Sequence, residues 1–334
     1  MSSLSSHRAI KLFRRMCCYA YVTGLPNFWY EKPNWSIHVG KFHDFISHVT
    51  DVINCVFYLG QFFSFFTQKN LNERQETDQI IFTTINPCIY WAPIAMNYYK
   101  EQVRDLIRNL VLVLPSVYND REVERKMVKK SCLYVSLLLS TANATLLLYG
   151  IDSFIKVLKG AVFTTVITAW PSVEDRSRIA GIGRAAVFII WTQFMFRSCG
   201  AISLIISLTI NTSHQYIQLQ SYFRNLSNIF QENLIQEEME TKYEEHLKIG
   251  IQQHIKILSY TKKLKQACIL VYGGQIFTNM VILVMTMMVM MGDDLSLTKL
   301  MTFMTLAISS TVTNGFYMCT IGDITVEVQR YGSQ

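Results

Sequence analysis

Residues 185–210 read AAVFIIWTQFMFRSCGAISLIISLTI, a run whose one charged side chain is Arg197. About 20 apolar residues at about 1.5 Å of helical rise each cover a hydrocarbon core of about 30 Å, so this stretch is long enough to cross a bilayer as a helix. No breaker follows it. Leu219, Tyr222, Leu226, Ile229, Phe230 and Leu234 continue at helical spacing, and the helix is predicted to run on into water. It ends at a glutamate-rich tip, Glu237, Glu238, Glu240, Glu244 and Glu245, which reads as a solvated turn. A second periodic set, Leu247, Ile251, Ile255 and Leu258, leads back toward the next apolar run, which predicts a helical hairpin over 211–266. Apolar stripes on a hairpin outside the membrane must pack on something, either an oligomer partner or the chain itself.

Outward from this segment, further candidate spans cover residues 45–66, 79–99 and 132–155 before it, and 267–291 and 298–321 after it. No alternating strand pattern separates them, and open sheet edges do not persist in hydrocarbon. The expected fold is all-α: a polytopic helical membrane protein with about six transmembrane helices, a cytosolic helical hairpin, and one transmembrane domain over 1–334. Composition agrees, since 50% of residues are hydrophobic, 16% are charged and mean hydropathy is +0.21, whereas soluble domains carry about a quarter charged residues. The net charge of +7 does not point to nucleic acid, because the Lys and Arg residues flank apolar runs instead of clustering on a soluble face. With the N-terminus in the cytosol, about 22 Lys and Arg fall on that side and about 8 on the other, the bias expected of inner loops. Arg8, Lys11, Arg14 and Arg15 interrupt the first segment, so no cleaved signal peptide is expected.

Catalytic constellations are lacking: there is no H-E-x-x-H, no phosphate-binding loop and no nucleophile elbow. Gly181-Ile182-Gly183-Arg184-Ala185-Ala186 approaches a dinucleotide fingerprint but precedes a membrane span with no strand before it, which removes its meaning. His246 and His254 are spaced wrongly for a metal pair on one helical turn, and the eight cysteines read as small apolar residues. Neither metal, cofactor nor enzymatic activity is expected. The sequons at Asn34, Asn143, Asn211 and Asn225 fall in cytosol or membrane under this orientation, so none should be glycosylated.

Polar groups inside spans carry more information, because an ionisable side chain at mid-bilayer costs at least about 2.5 kcal/mol. Arg197 lies near the middle of its span and Asn143 near the middle of 132–155; a buried interhelical hydrogen bond between them is the expected use. Tyr90, Trp91, Tyr149, Phe154, Phe188 and Trp191, with Met195 and Met285 nearby, place aromatic and thioether groups in the same half of several spans. Such a lining suits a small volatile ligand. The competing reading of these rings is bundle core or interfacial belt.

Three stretches carry a resemblance: Gly24-Leu25-Pro26-Asn27-Phe28-Trp29; His254-Ile255-Lys256-Ile257-Leu258-Ser259-Tyr260 ahead of Lys262-Lys263-Leu264; and Asn314-Gly315-Phe316-Tyr317-Met318-Cys319, followed by Gly322-Asp323-Ile324-Thr325-Val326-Glu327. In their order and spacing the chain resembles the insect odorant receptor family. That resemblance implies a subunit of an odorant-gated cation channel in the plasma membrane, assembled as a tetramer with a common co-receptor subunit and binding odorant in the outer half of the bundle. The family continues past the position of Glu327 through a tryptophan into a seventh, pore-lining span, whereas this sequence gives Tyr331-Gly332-Ser333-Gln334. On that ground a shortened, non-conducting form is expected. The alternative outside the family is a six-span transporter of a small solute, which should show broken helices in paired positions; Pro87 and Pro93 interrupt the second span alone.

Overall fold

The computed structural model describes residues 8–31, 37–231, 235–291 and 297–332, all helix or connecting turn. The sequon at Asn34 and the stripe position Leu234 lie outside them. Short polar residues set where helices start. Asn72 accepts from the Gln75 amide while Gln75 returns a bond to the Asn72 amide, both at 2.9 Å, a capping box that opens α3 (Glu73–Tyr98). The Asp120 carboxylate accepts from the Glu122 and Val123 amides at the start of α6 (Arg121–Leu158), and Ser177 accepts from the Ala180 amide at the start of α7 (Arg178–Leu226). Each cap satisfies amides that the first helical turn leaves open.

The 49 residues of α7 span about 74 Å and the 55 of α8 (Gln236–Met290) about 82 Å, against a hydrocarbon thickness of about 30 Å. Both therefore project far beyond any bilayer. A 3₁₀ turn, Ser227–Gln231, follows α7, and together they form the hairpin. α2 (Ile37–Thr67), α6, α7 and α8 are long and apolar enough to cross a membrane by length and composition. α3 and α9 (Leu297–Gly332) are more polar, and turn those groups inward: Gln79, Asn86, Ser310, Thr313 and Thr320 are buried. On α3 they meet partners from α2, with Gln79 donating to Ser64 at 2.7 Å and Asn86 to Gln61 at 3.2 Å. In hydrocarbon such side-chain bonds tie neighbouring helices together.

α7 is the central pillar. From Arg197 to Tyr216 every residue is buried, because α1, α2, α3, α6, α8 and α9 all pack on it. α1 (Arg8–Val22) buries Phe13, Met16, Cys17 and Ala20 against it and turns its basic face outward. The α1 start is held by the Glu124 carboxylate, which accepts from the Ala9 amide at 2.9 Å and complements the helix dipole. α4 (Lys100–Arg108), a π-turn at Asn109–Val113 and α5 (Leu114–Val117) link α3 to α6 at the hairpin end. There, Lys130 of α6 pairs with Asp323 of α9, and Tyr134 stacks on Phe316 with centroids 4.1 Å apart.

At the opposite end, the α6–α7 loop folds back over the bundle. Gln68, just past α2, binds four of its groups: it donates to the Thr168 carbonyl at 2.7 Å, the Pro171 carbonyl at 3.1 Å and the Ala169 carbonyl at 3.4 Å, and accepts from the Val173 amide at 3.0 Å. Gly183 has a packing role here, since a Cβ on it would stand 2.7 Å from ring atoms of Trp170 and Pro171. One glycine of the stretch that mimicked a dinucleotide fingerprint thus seats a loop.

The two hairpin stripes behave differently. Leu219, Tyr222, Leu226 and Ile229 are buried, and Leu247 packs against the same core. Ile251, Ile255 and Leu258 are exposed by 49%, 60% and 40%, so the α8 stripe faces away from its own chain.

Candidate functional site

Below the α6–α7 loop the helices converge on a cluster of rings. Trp191 of α7 is at its centre, with centroids 5.2 Å from Phe82, 5.6 Å from Tyr149 and 6.2 Å from Phe188. One helical turn along α7, Phe194 lies 5.7 Å from both Tyr58 and Tyr90. Edge and tilted contacts dominate, as the ring quadrupoles prefer. Val166 of the loop closes the cluster. The Trp191 Nε1 and the Tyr58 hydroxyl are buried in it without a hydrogen-bond partner.

Beside the cluster lies a cavity of about 60 Å³ bounded by α3, α6, α7, α8 and α9. Met195 and Ile89 face both cavity and rings, and Ile282 joins it to a second apolar cluster around Ile81, Ile85 and Phe303. Most of the wall is apolar, but the Ser198 and Ser310 hydroxyls are buried there without partners. Buried donors are normally satisfied by protein or water, and this space has room for a few waters or part of a small organic molecule.

Of the sequence-predicted residues, the structure gathers Tyr90, Tyr149, Phe188 and Trp191 into the aromatic cluster and sets Met195 at the cavity. Met285 lies one cluster away, beside Ile282 and Phe303. Trp91 and Phe154 are not brought in: at 42% and 59% exposure they point out of the bundle, where an aromatic ring suits the lipid or its interface. The expected Arg197–Asn143 bond is replaced. Asn143 donates to the Leu139 carbonyl of its own helix at 2.7 Å, and Arg197 pairs instead with Asp51 of α2, Nη1 to Oδ1 at 2.7 Å. A full counter-charge outcompetes an amide for a guanidinium in a low-dielectric interior. The same Oδ1 accepts from the Tyr90 hydroxyl at 2.8 Å, so the ion pair reaches the ring cluster. The Nη1 contact is close without being aimed as a hydrogen bond, and the Arg197 Nε also lacks an acceptor; charge attraction dominates the pair.

Sequence reasoning missed Asp51, Tyr58, Phe82 and Phe194. Asp51 left a signal, a carboxylate within span 45–66 that matches the lone arginine of 185–210. The three rings left none, since aromatic residues are spread along most spans.

Long apolar helices and interhelical polar pairs define a multi-pass α-helical membrane protein. Its fold is that of the insect olfactory receptor OR5 from Machilis hrabei, with a TM-score of 0.72 at 11% identity, covering 95% of this chain and 80% of that one. The same receptor in complex with eugenol gives a TM-score of 0.75 at 10% identity, with the same coverage. No family model matches this sequence, and no curated protein matches it.

Proposed function

We infer that this chain is an odorant-receptor subunit of the plasma membrane, N-terminus in the cytosol, that takes a small apolar volatile molecule into the cavity beside the aromatic cluster. One observation carries the reading: an apolar cavity beside the ring cluster in which Ser198 Oγ and Ser310 Oγ are buried donors with no acceptor. A ligand oxygen supplies the missing acceptor, and the rings and Met195 supply contact area. The shared fold with a receptor solved in complex with eugenol supports this. The Lys and Arg bias, about 22 against about 8, supports the orientation. A co-receptor subunit is the natural partner, in a ligand-gated cation channel. A six-span transporter is less well supported, because α3 stays one unbroken helix through Pro87 and Pro93 where transporters unwind to bind solute.

The test is to express the chain with a co-receptor and record odorant-evoked cation current against co-receptor alone. Thermal stabilisation of the purified chain by the same odorants separates binding from conduction. A broad panel of small esters, alcohols and phenols that neither evokes current nor stabilises the surface-expressed chain would sink the assignment. An N-terminal epitope reachable by antibody only after permeabilisation is the expected topology result.

A further inference from the structure

At the hairpin end, α1, the turn after it and α4 enclose an open groove of about 1170 Å³. Its charges are not balanced within the fold. Each carboxylate is engaged: Glu31 by the Trp29 indole at 3.2 Å, Glu101 by Arg104 at 3.2 Å, and Asp105 by Lys263 at 3.1 Å. Lys11, Arg14 and Arg108 also line the groove, are exposed, and pair with no carboxylate among the described residues. The buried Nε of Arg104 has no acceptor either.

The groove also stands at the membrane surface. Tyr98 and Tyr99, in edge contact with centroids 4.9 Å apart, close α3 one residue before α4 begins, and Trp29 and Tyr30 line the groove itself. Aromatic residues at helix ends mark the headgroup layer. The turn after α1 is pinned to the start of α2, His43 to the Tyr21 carbonyl at 2.7 Å and Ser47 to the Gly24 carbonyl at 2.7 Å, so the whole groove lies at one level.

We propose that this groove binds the headgroup of an anionic phospholipid, its phosphate held between Lys11 and Arg14 of α1 and Arg108 of α4. The site is separate from the cavity beside the aromatic cluster. A single basic helix face would attract such lipids only diffusely; cations from two elements across a groove, where Lys11, Arg14, Arg104 and Arg108 face Glu31, Glu101 and Asp105 and the last two are already ion-paired, form a pocket for one headgroup. The proposal rests on the cytoplasmic N-terminus only in assigning the lipid to the inner leaflet.

The full chain in phosphatidylcholine nanodiscs, with and without phosphatidylserine, tests it, because both leaflets are present and the outcome is independent of topology and of odorant response. Binding to the folded state raises the unfolding midpoint: a rise of roughly 2–4 °C with phosphatidylserine is expected, shrinking at high salt. Lys11→Gln, Arg14→Gln and Arg108→Gln together should abolish the rise and leave the midpoint in phosphatidylcholine unchanged, and Arg108→Gln alone should reduce it. Lys69→Gln, at the other end of the bundle, should keep it. No rise in the wild type, or a full rise in the triple variant, overturns the proposal. So does an equal rise from soluble glycerophosphoserine, which would mean the lipid chains and the membrane position contribute nothing.

Discussion

Arg197 shows how much a single residue announces and how much it conceals. Its charge in the middle of an apolar run marks it from sequence, because only a paired or solvated arginine is tolerated there. Its partner was not legible, since the depth at which α2 passes α7 is set by packing. Removing the partner is the sharper experiment. Asp51→Asn should lower stability by about 3 kcal/mol, leaving a guanidinium that is 1% exposed without a counter-charge. Tyr90→Phe should cost about 1 kcal/mol, the worth of one hydrogen bond, and replacing Asp51 and Arg197 together by apolar residues should recover most of the loss. Thermal midpoints of the purified variants rank the three. At the cavity, Ser198→Ala removes one unpartnered hydroxyl and little volume. Odorants carrying an oxygen should lose up to about tenfold in affinity while hydrocarbons are unaffected; equal losses for both classes would remove Ser198 as a donor.

Single elements were the most legible level, for reasons of length. A helix with no breaker keeps forming backbone hydrogen bonds whether or not lipid surrounds it, so α7 was predicted to leave the membrane and does, unbroken to Leu226. The α6–α7 loop gave no such signal, and Gln68, its clasp, has no local sequence motif. Gln68→Ala should speed limited proteolysis of this loop and the release of bound odorant, with little change in midpoint, while Gly183→Ala should disturb the loop sterically. At the other end, Asp120 joins the start of α6 to α7. The Ser221 hydroxyl donates to it at 2.8 Å and, with the first α6 amides and against the opposing effect of burial, holds its carboxyl below the usual range. A carboxylate with a depressed folded pKa stabilises the fold above its unfolded value of about 3.9, and that contribution is lost as pH falls through the folded value. Ser221→Ala should therefore lower the midpoint near about pH 6, and the gap to the wild type should shrink as the pH falls below about 3.9 and the wild type loses the contribution too. Coincident profiles would show that the hydroxyl contributes nothing.

For the whole molecule, the hairpin carries the open question of assembly. Its first stripe is buried from Leu219 to Ile229 with Phe230 left exposed, whereas Ile251, Ile255 and Leu258 remain exposed on a part of α8 that lies beyond the predicted span. An apolar face in water is where a neighbouring subunit gains most. Ile251→Asp with Ile255→Asp should reduce co-assembly with a co-receptor on native gels while leaving the midpoint of the isolated chain unchanged. The sequence by itself determined the helical, membrane-crossing class, the continuation of the 185–210 helix past its apolar run and the presence of a costly buried charge. All of these follow from composition and periodicity, which lipid and water read one residue at a time. Only the tertiary structure decided which rings share a cluster, that Trp91 and Phe154 face outward, that Arg197 meets Asp51, and that Lys11, Arg14 and Arg108 share one groove. Those facts depend on the rotation and axial offset of each helix against its neighbours, which are fixed by the summed packing of many side chains and leave no periodic trace in any one of them.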